Sequence, residues 1–568
     1  MALAAAATAL VFVVSAAGAP FDRSVIASGV FRDGLLPGRG EYATTFYRDG
    51  RTATVTVRRA ADGAITLATN GKPDASVRAN WLRADTARVP RWSLRDDDAT
   101  QVLLPLIALA HAPHARTAAV IGQGSGITSH LLLGSPTVEK VVTVEIEPEM
   151  VRGSMAFLPL NRRTFEDPRA RFVIDDAKSY FAAAGQRFDI IISEPSNPWV
   201  SGVAGLFTTE FYRRVKNYLA PNGVFAQWLH LYELNDALVR SVLAAVQANF
   251  PQYAVFMVGD VDIEVLAVNG PAVPAPDWSV VRWPMIARDL DHVAPLTPDA
   301  LEATRVADSR VLGPFVATAR PNSDFAPVLD LGAEQARYLN TQAGGLSLLN
   351  VFSFDVGSAL SDRRLGFALA TRAPIEIPRL VLRARSALLR GVPAEPGQPD
   401  DPELRAALVR RRTFDEVVRT GRAPPDWREW VTLLLAIDRD IHAGSTGVVD
   451  SALYGSLDRY LRTAQAPAGV RRAEEFFRAL DGWDFSAAAA AGDSLLADLL
   501  RGERWVSSDY LRDGAVTAKL KTGDAAGAKR CFDILLPEMR RDVAGIFRSR
   551  LLAANIARAL HPGGASRR

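Results

Sequence analysis

Residues 117–147, TAAVIGQGSGITSHLLLGSPTVEKVVTVEIE, decide the fold. Residues 117–121 are a short apolar run of the kind that fills a buried strand. Gly122, Gly124 and Gly126 then crowd a turn, and residues 127–133 read as the first turns of a helix. A second, β-branched run at 141–144 ends on Glu145. Strand, glycine turn, helix, strand and acid in this order make a nucleotide-binding βαβ unit, with the acid about 20 residues beyond the turn. The glycines let backbone approach a ligand closely, and Glu145 can accept both hydroxyls of a ribose.

Downstream the α/β alternation continues. Residues 171–174 predict a third strand ending at Asp175-Asp176, and 177–184 a short helix. A fourth strand, FDIIIS at 188–193, runs into Glu194-Pro195-Ser196-Asn197-Pro198. A helix over 208–219, a strand over 223–228 and a helix over 235–249 follow. Residues 253–258 and 262–268 then pair as a hairpin across Gly259-Asp260. The result is a mainly parallel sheet closed by an antiparallel last strand. Ligands in such sheets bind beyond the carboxyl ends of the strands. That edge holds Gly122 to Gly126, Glu145, Asp175, Asp176, Glu194 to Asn197, and Gln227.

Upstream, EYATTFY, TATVTV and AITLAT alternate over residues 41–69, separated by Asp49-Gly50 and Asp62-Gly63. Asp-Gly between alternating runs signals a hairpin, so a small antiparallel sheet precedes the nucleotide unit and ends at Asn70-Gly71-Lys72-Pro73-Asp74. A polar stretch, 95–100, leads into an apolar helix over 101–110. Residues 1–20, MALAAAATALVFVVSAAGAP, are uncharged, apolar and about long enough to cross a bilayer. They lack the basic start of a secretory signal, so the expectation is a membrane anchor with the following domains on the cytoplasmic side. A Pro-rich boundary lies at 269–276, helix formers dominate after 346 with a linker at 391–402, and 483–537 reads as paired helices without a clean repeat period. The expected division is an anchor over 1–20, a β-domain over 41–95, a Rossmann-like domain over 96–270, a mixed extension over 271–345 and a helical region over 346–568.

With 48% apolar residues the chain can build packed cores, which excludes wholesale disorder. Its net charge is +3 and its 66 Lys+Arg are scattered, so no nucleic-acid partner is inferred. The single cysteine, Cys531, excludes an intramolecular disulfide and a cysteine metal cluster, and reads as a small buried residue on a helix. His130 and His230 have no partner at ligand spacing; they read as polar surface residues, and no metal is assigned.

Residues 42–269 resemble the spermidine/spermine synthase (polyamine aminopropyltransferase) family, in particular bacterial members fused to membrane segments and extra C-terminal sequence. The resemblance is carried by Asn70-Gly71, by Gln101 after an acidic stretch, by the turn from Gly122 to Ile127, and by Val144-Glu145-Ile146-Glu147. Asp175-Asp176, the run from Glu194 to Pro198, and Gln227-Trp228-Leu229-His230 complete it. It implies an α/β fold: a small N-terminal antiparallel β-domain plus a Rossmann-like, class I methyltransferase-type doubly wound sheet, here followed by an α-helical C-terminal region.

The activity implied is transfer of an aminopropyl group from decarboxylated S-adenosylmethionine to an amine such as putrescine, releasing methylthioadenosine without a metal. By position, Glu145 matches the residue that holds the ribose, and Asp176 the acid that contacts adenine. Gly122, Gly124, Ser125, Gly126 and Asp175 complete the donor side. Glu194 falls at the catalytic acid, while Gln101, Asn197 and Gln227 fall near the substrate.

Ser125 stands where the family has an aspartate for the donor's ammonium, and Thr100 where it has a tyrosine. A turn with Ser125 at a helix start tolerates a carboxylate, which leaves two other readings open. One is a methyltransferase using intact S-adenosylmethionine; the other is a non-catalytic, membrane-tethered nucleoside-binding protein. Asp324 is the fallback acid for the donor ammonium, and Tyr47, Trp228 and Tyr232 read as core aromatics. The C-terminal helices read as a scaffold, or as the surface for a second copy or a protein partner.

Overall fold

The N-terminal sheet has four strands, one more than the alternation of residues 41–69 predicts. They run β1 (Tyr42–Asp49), β2 (Thr54–Ala60), β3 (Ile65–Thr69) and β4 (Lys72–Val77), each antiparallel to the next. The chain does not leave the sheet at Asn70-Gly71. Both residues are left-handed, with φ of 49° and 85°. Such a two-residue turn matches the twist of paired strands, so residues 72–77 fold back on β3.

The computed structural model describes residues 23–34, 36, 38, 40–82, 93–291, 293–347, 354–395, 401–538 and 541–562. The apolar stretch 1–20 lies outside them. Among the described residues no helix is long and apolar enough to cross a membrane.

After the small sheet, α1 (Asp96–His111) delivers the chain to the second sheet. This helix begins earlier than its apolar run, with Asp96, Asp97 and Asp98 in its first turn, where the helix dipole favours negative charge. Its residues from Asp98 to His111 are all buried. The second sheet has eight strands in the order β12-β10-β11-β9-β8-β5-β6-β7. Its parallel members are β5 (Thr117–Ile121), β6 (Lys140–Glu145), β7 (Ala170–Ile174), β8 (Phe188–Ser193) and β9 (Leu219–His230). These central strands read as continuous β-branched and apolar runs because helices cover both faces of a parallel sheet. Then β10 (Tyr253–Met257) and β11 (Asp262–Val268) form the expected hairpin, and β11 pairs antiparallel with β9. A further edge strand, β12 (Arg305–Asp308), comes from the stretch expected as a mixed extension and pairs with β10.

The order reverses at β5, since the chain runs first to β6 and β7 and then returns to β8 and β9. That reversal opens a crevice at the carboxyl ends of β5 and β8. Helices α2 (Ile127–Leu132), α3 (Pro148–Ser154), α4 (Ala177–Ala184), α5 (Thr209–Tyr218) and α6 (Asp236–Asn249) connect the strands.

Glu147 fastens the small sheet to the large one. It caps α3 by accepting the Glu149 N–H at 3.0 Å, and its other oxygen accepts Thr52 N–H at 2.6 Å and the Thr52 hydroxyl at 2.8 Å in the β1–β2 turn. From residue 354 onward the regular elements of the described chain are helices. This region has its own apolar core of buried residues such as Trp430, Leu434, Phe476, Phe477 and Tyr510. Cys531 is buried in that core, and burial pushes its thiol up to about 12.

Candidate active site

The glycine turn is built for contact. Gly122, Gly124 and Gly126 have φ of 96°, 46° and 81°, the left-handed region that a side chain resists. A Cβ on Gly122 would lie 2.4 Å from the Glu194 carbonyl oxygen, so the ends of β5 and β8 close only around a glycine. Just past it, the Gln123 N–H donates to Glu145 at 2.9 Å, and the Glu147 N–H donates to the other Glu145 oxygen at 2.9 Å. Each oxygen keeps acceptor capacity for a hydroxyl. Burial pushes Glu145 up to about 7, against the pull of the Glu147 and Gln123 N–H groups and with help from the Asp74 charge.

Ser125 is buried and donates to the Gln101 side-chain oxygen, while its own oxygen accepts the Ile127 N–H at 3.2 Å. Gln101 is oriented from its other end, its amide donating to the carbonyls of Asp97 at 2.7 Å and Ser76 at 3.0 Å. The two residues therefore meet, as a bridge between α1 and the turn. Asn161 adds a support that the sequence did not reveal, donating to the backbone carbonyls of Ser125 and Ser154 at 2.7 Å each.

Glu194 follows β8 directly and accepts from the Thr128 hydroxyl at 2.8 Å. Burial pushes it up to about 7; the Thr128 bond opposes this and the Asp97 charge adds to it. Its neighbours across the sheet are acids and aromatics. Ser193 is level with Gln227, Trp228 pairs with Glu264, and His230 pairs with Asp262. Residues that pair, or lie two apart, share a face. One face thus carries Glu194, Trp228, His230, Asp262 and Glu264, and α1 lies over it with Asp97. Trp228 and His230 stack at 5.4 Å between centroids, and His230 meets Tyr232 at 4.5 Å. Trp228 and Tyr232 are half-buried, and Trp228 packs against the apolar core as expected. The Trp228 indole donates to Asp262 at 3.1 Å.

Other assignments fare differently. Asn197 is buried and donates to His230 Nε2 at 3.3 Å, with the Tyr232 hydroxyl at 3.5 Å, so it lies against this row of rings. Burial, reinforced by the Lys72 and Arg32 charges, pulls His230 down to about 3 and keeps it a neutral acceptor. Gln227 points the other way; it is fully buried, donating to the Ser193 carbonyl at 3.2 Å beside Tyr212. Asp176 caps α4 through the Ser179 N–H at 2.9 Å, and the exposed Asp175 accepts the Asp176 N–H at 2.8 Å. Asp324 is exposed and faces Lys178 at 3.7 Å.

The two histidines are not on the surface. His130 is 5% exposed, held between the Arg163 N–H at 3.0 Å and Asp289 at 3.3 Å, and His230 is 0% exposed. Tyr47 lies on the small sheet under Arg23, 5.4 Å from the guanidinium.

A separate cavity of about 390 Å³ lies among the C-terminal helices, with Asp438, His442 and Asp481 in its lining. Their ligand atoms lie within 4.8 Å of one another. His442 Nε2, however, accepts the Asp450 N–H at 3.1 Å, which leaves the ring proton on Nδ1, where it meets Asp438 and Asp481 at 3.1 and 3.4 Å. A ring so bonded has no lone pair for a cation between the carboxylates. The trio joins two helices, α7 (Trp427–His442) and α9 (Ala468–Gly482), with α8 (Ser451–Thr463) between them in the chain. Tyr454 on α8 completes it, its hydroxyl 2.7 Å from each carboxyl. Tyr454→Phe should lower stability by about 1–3 kcal/mol, the cost of a buried group left unpaired. Chemical denaturation of variant and wild type measures it.

Residues 98–260 match the model of the spermine/spermidine synthase domain. Over 156 residues the chain is 34% identical to a polyamine aminopropyltransferase of Pyrobaculum arsenaticum, covering 27% of this chain and 54% of that protein. It is 32% identical over 142 residues to a spermidine synthase of Dictyostelium discoideum, covering 24% of this chain and 50% of that one. The chain thus spans about half the length of the curated relatives it matches. Among solved structures, the spermidine synthase of Thermotoga maritima aligns at 20% identity and a TM-score of 0.32, over 40% of this chain and 73% of that one. Human methyltransferase-like protein 13 aligns at 22% identity and a TM-score of 0.27, over 35% and 92%.

Proposed function

We propose that this chain, whose residues 98–260 form a spermine/spermidine synthase domain, transfers an aminopropyl group from decarboxylated S-adenosylmethionine to an amine acceptor such as putrescine. The observation that carries this reading is the placement of Glu194. It is an acid at the crevice end of β8, pushed up to about 7, between the glycine turn that bonds Glu145 and a row of aromatics and carboxyls. A base with an affinity near neutrality both accepts and releases a proton at working pH.

In the step proposed, the lone pair of the acceptor nitrogen attacks the carbon next to the donor's sulfonium. A C–N bond forms, the C–S bond breaks, and the pair in it returns to sulfur, giving neutral methylthioadenosine. The proton lost by the nitrogen goes to the Glu194 carboxylate. Glu145 holds the ribose hydroxyls, and the backbone of residues 122–126 lies against the nucleoside. Gln101 and Ser125 fix the floor of the turn, and no metal takes part in the step. The test is calorimetry with methylthioadenosine, S-adenosylhomocysteine and decarboxylated S-adenosylmethionine. Binding of the first and third supports the reading, and binding of none refutes it.

Ser125 keeps a second reading in play, transfer of a methyl group from intact S-adenosylmethionine. The buried, uncharged pair of Ser125 and Gln101 places no negative group at the turn. Discrimination against a donor that retains its carboxylate should therefore be weak, under a hundredfold, or about 2.7 kcal/mol. Ser125→Asp should sharpen it. Donor competition on wild type and variant, scored by which thioether product appears, decides between the two readings. We also propose that residues 1–20 tether the chain to a membrane with the catalytic domain on the cytoplasmic side. Recovery of unprocessed full-length protein in the soluble fraction would refute that.

A further inference from the structure

Residues 23–34 form a strap between the two sheets. It is made of two single-turn helices, Arg23–Ile26 and Val30–Asp33, separated by residues 27–29. Its first half lies on the small sheet, where the Tyr42 hydroxyl donates to the Ser24 carbonyl at 3.2 Å and Arg23 covers the Tyr47 ring. At its middle, backbone meets backbone. A Cβ on Gly29, whose φ is 75°, would lie 2.4 Å from the Gly71 carbonyl oxygen in the β3–β4 turn. Its second half reaches the large sheet, where Arg32 pairs with Glu233 at 3.0 Å, just past the end of β9.

Glu233 is 8% exposed and left-handed, with φ of 52°, a conformation that a glutamate resists. Such a residue persists only where its surroundings hold it. Two groups do so here. Arg32 bonds one carboxylate oxygen, and the Trp199 indole donates to the other at 2.9 Å. Trp199 belongs to the loop that follows Glu194, and that loop is also held to the small sheet, the Ser196 hydroxyl donating to Asp74 at 2.8 Å. The contacts close a ring: strap, Glu233, Trp199, Ser196, Asp74, and back through the β3–β4 turn to Gly29. Asn197, His230 and Tyr232 meet beside it. Burial sets the shifts of both His230 and Tyr232, and the Arg32 charge acts on each.

The strap is lightly anchored. Of its described side chains Ala27 alone is buried, while Val25 and Val30 are 41% and 40% exposed. A segment with so little buried apolar surface opens locally, at a cost far below that of unfolding either sheet.

We propose that the strap is a gate on the acceptor's path, latched by Arg32 on Glu233, and that Glu233 is the positioning residue that passes the closed state through Trp199 to the loop after Glu194. This rests on the transferase reading above. With the latch closed the amine stays beside Glu194, and with it open the amine escapes before it reacts.

The test is hydrogen–deuterium exchange of residues 23–34 in the full chain saturated with methylthioadenosine, with and without 1,4-diaminobutane, beside steady-state kinetics of wild type, R32M, R32K and E233Q. In wild type the amine should slow exchange of the strap at least tenfold. R32M should lose that protection and raise KM for the amine at least tenfold, with kcat within threefold and methylthioadenosine affinity within twofold of wild type. R32K keeps the cation and should bring KM back to within threefold. E233Q keeps an oxygen for the Trp199 indole but loses the ion pair, and should match R32M. A wild-type strap that exchanges alike with and without bound amine overturns the inference. So does R32M with a wild-type KM, or R32M that loses kcat and methylthioadenosine affinity together, the mark of a merely structural contact. Calorimetry of 1,4-diaminobutane separates the failures: an amine that does not bind wild type overturns the transferase reading and this inference with it, whereas one that binds and leaves the strap unchanged overturns this inference alone.

Discussion

Glu194→Gln should reduce kcat for aminopropyl transfer by about 10²–10⁴-fold, the usual contribution of a positioned general base, while leaving methylthioadenosine affinity nearly unchanged. Glutamine retains an oxygen for the Thr128 hydroxyl, which reaches Glu194 at 2.8 Å in the wild type. The turn should therefore stay in place and only proton acceptance be lost. The pH profile separates this from a structural effect. Burial puts Glu194 at about 7, so kcat/KM of the wild type should climb as pH rises toward 7 and level off above it. The variant should lack that limb.

Stability moves in the opposite sense. Glu145 and Glu194 both stand at about 7 in the fold against 4.5 for an ordinary glutamate, so between those values the folded chain binds protons that the unfolded chain has released. The unliganded protein should lose stability as pH rises from about 4.5 through about 7. E194Q should lose less of it than wild type.

Gly122→Ala should be strongly damaging. Its Cβ would meet the Glu194 carbonyl oxygen at 2.4 Å and the carbonyl carbon at 3.3 Å, and both are backbone that no rotamer can move. Crowding of this kind costs about 1–3 kcal/mol, and the left-handed backbone at φ 96° adds about 1–2 kcal/mol for any residue with a side chain. Together the loss should be about 3 kcal/mol or more in chemical denaturation, with adenosyl ligands no longer bound because β5 and β8 part at the crevice. Gly124→Ala is the control. There the new Cβ meets only the Ala75 Cβ at 3.8 Å, an ordinary contact, so strain at φ 46° is the main cost and folding should survive. Equal losses in the two variants would show that the closeness of β5 to β8 is not what the glycine serves.

The parallel core was legible because burial on both faces leaves uninterrupted runs such as FDIIIS and KVVTVE, which have few alternatives to a central strand. The place of Glu145 beside the glycine turn was legible for a similar reason, since its distance from the turn is set by one helix and one strand. The β4 strand was not. Lys72-Pro73-Asp74 reads as an exit from a sheet, yet Pro73 is tolerated because β4 is an edge strand, and Asn70-Gly71 is a hairpin turn rather than a terminus. Nor was β12 foreseen, being four residues long with no pattern of its own.

The buried acids on β11 were missed most. Asp262 and Glu264 alternate with Ile263 and Val265, the pattern of a strand with one wet face, and nothing local reveals that α1 covers that face. The signal lay in two strands read together, with rings at Trp228, His230 and Tyr232 on β9 and beyond it, opposite acids at 262 and 264 on its partner. His130 was misread for the same reason. Its partners Arg163 and Asp289 are distant in the chain, and helix position alone does not separate a buried histidine from a wet one.

The most direct test of the central claim is product analysis by mass spectrometry. The full-length protein is incubated with 1,4-diaminobutane and an equimolar mixture of intact and decarboxylated S-adenosylmethionine. Methylthioadenosine and an aminopropylated diamine should appear in equal amounts, both formed about 10²–10⁴-fold more slowly with E194Q. S-adenosylhomocysteine with a methylated amine, or consumption of neither donor by a protein that binds methylthioadenosine, would contradict it.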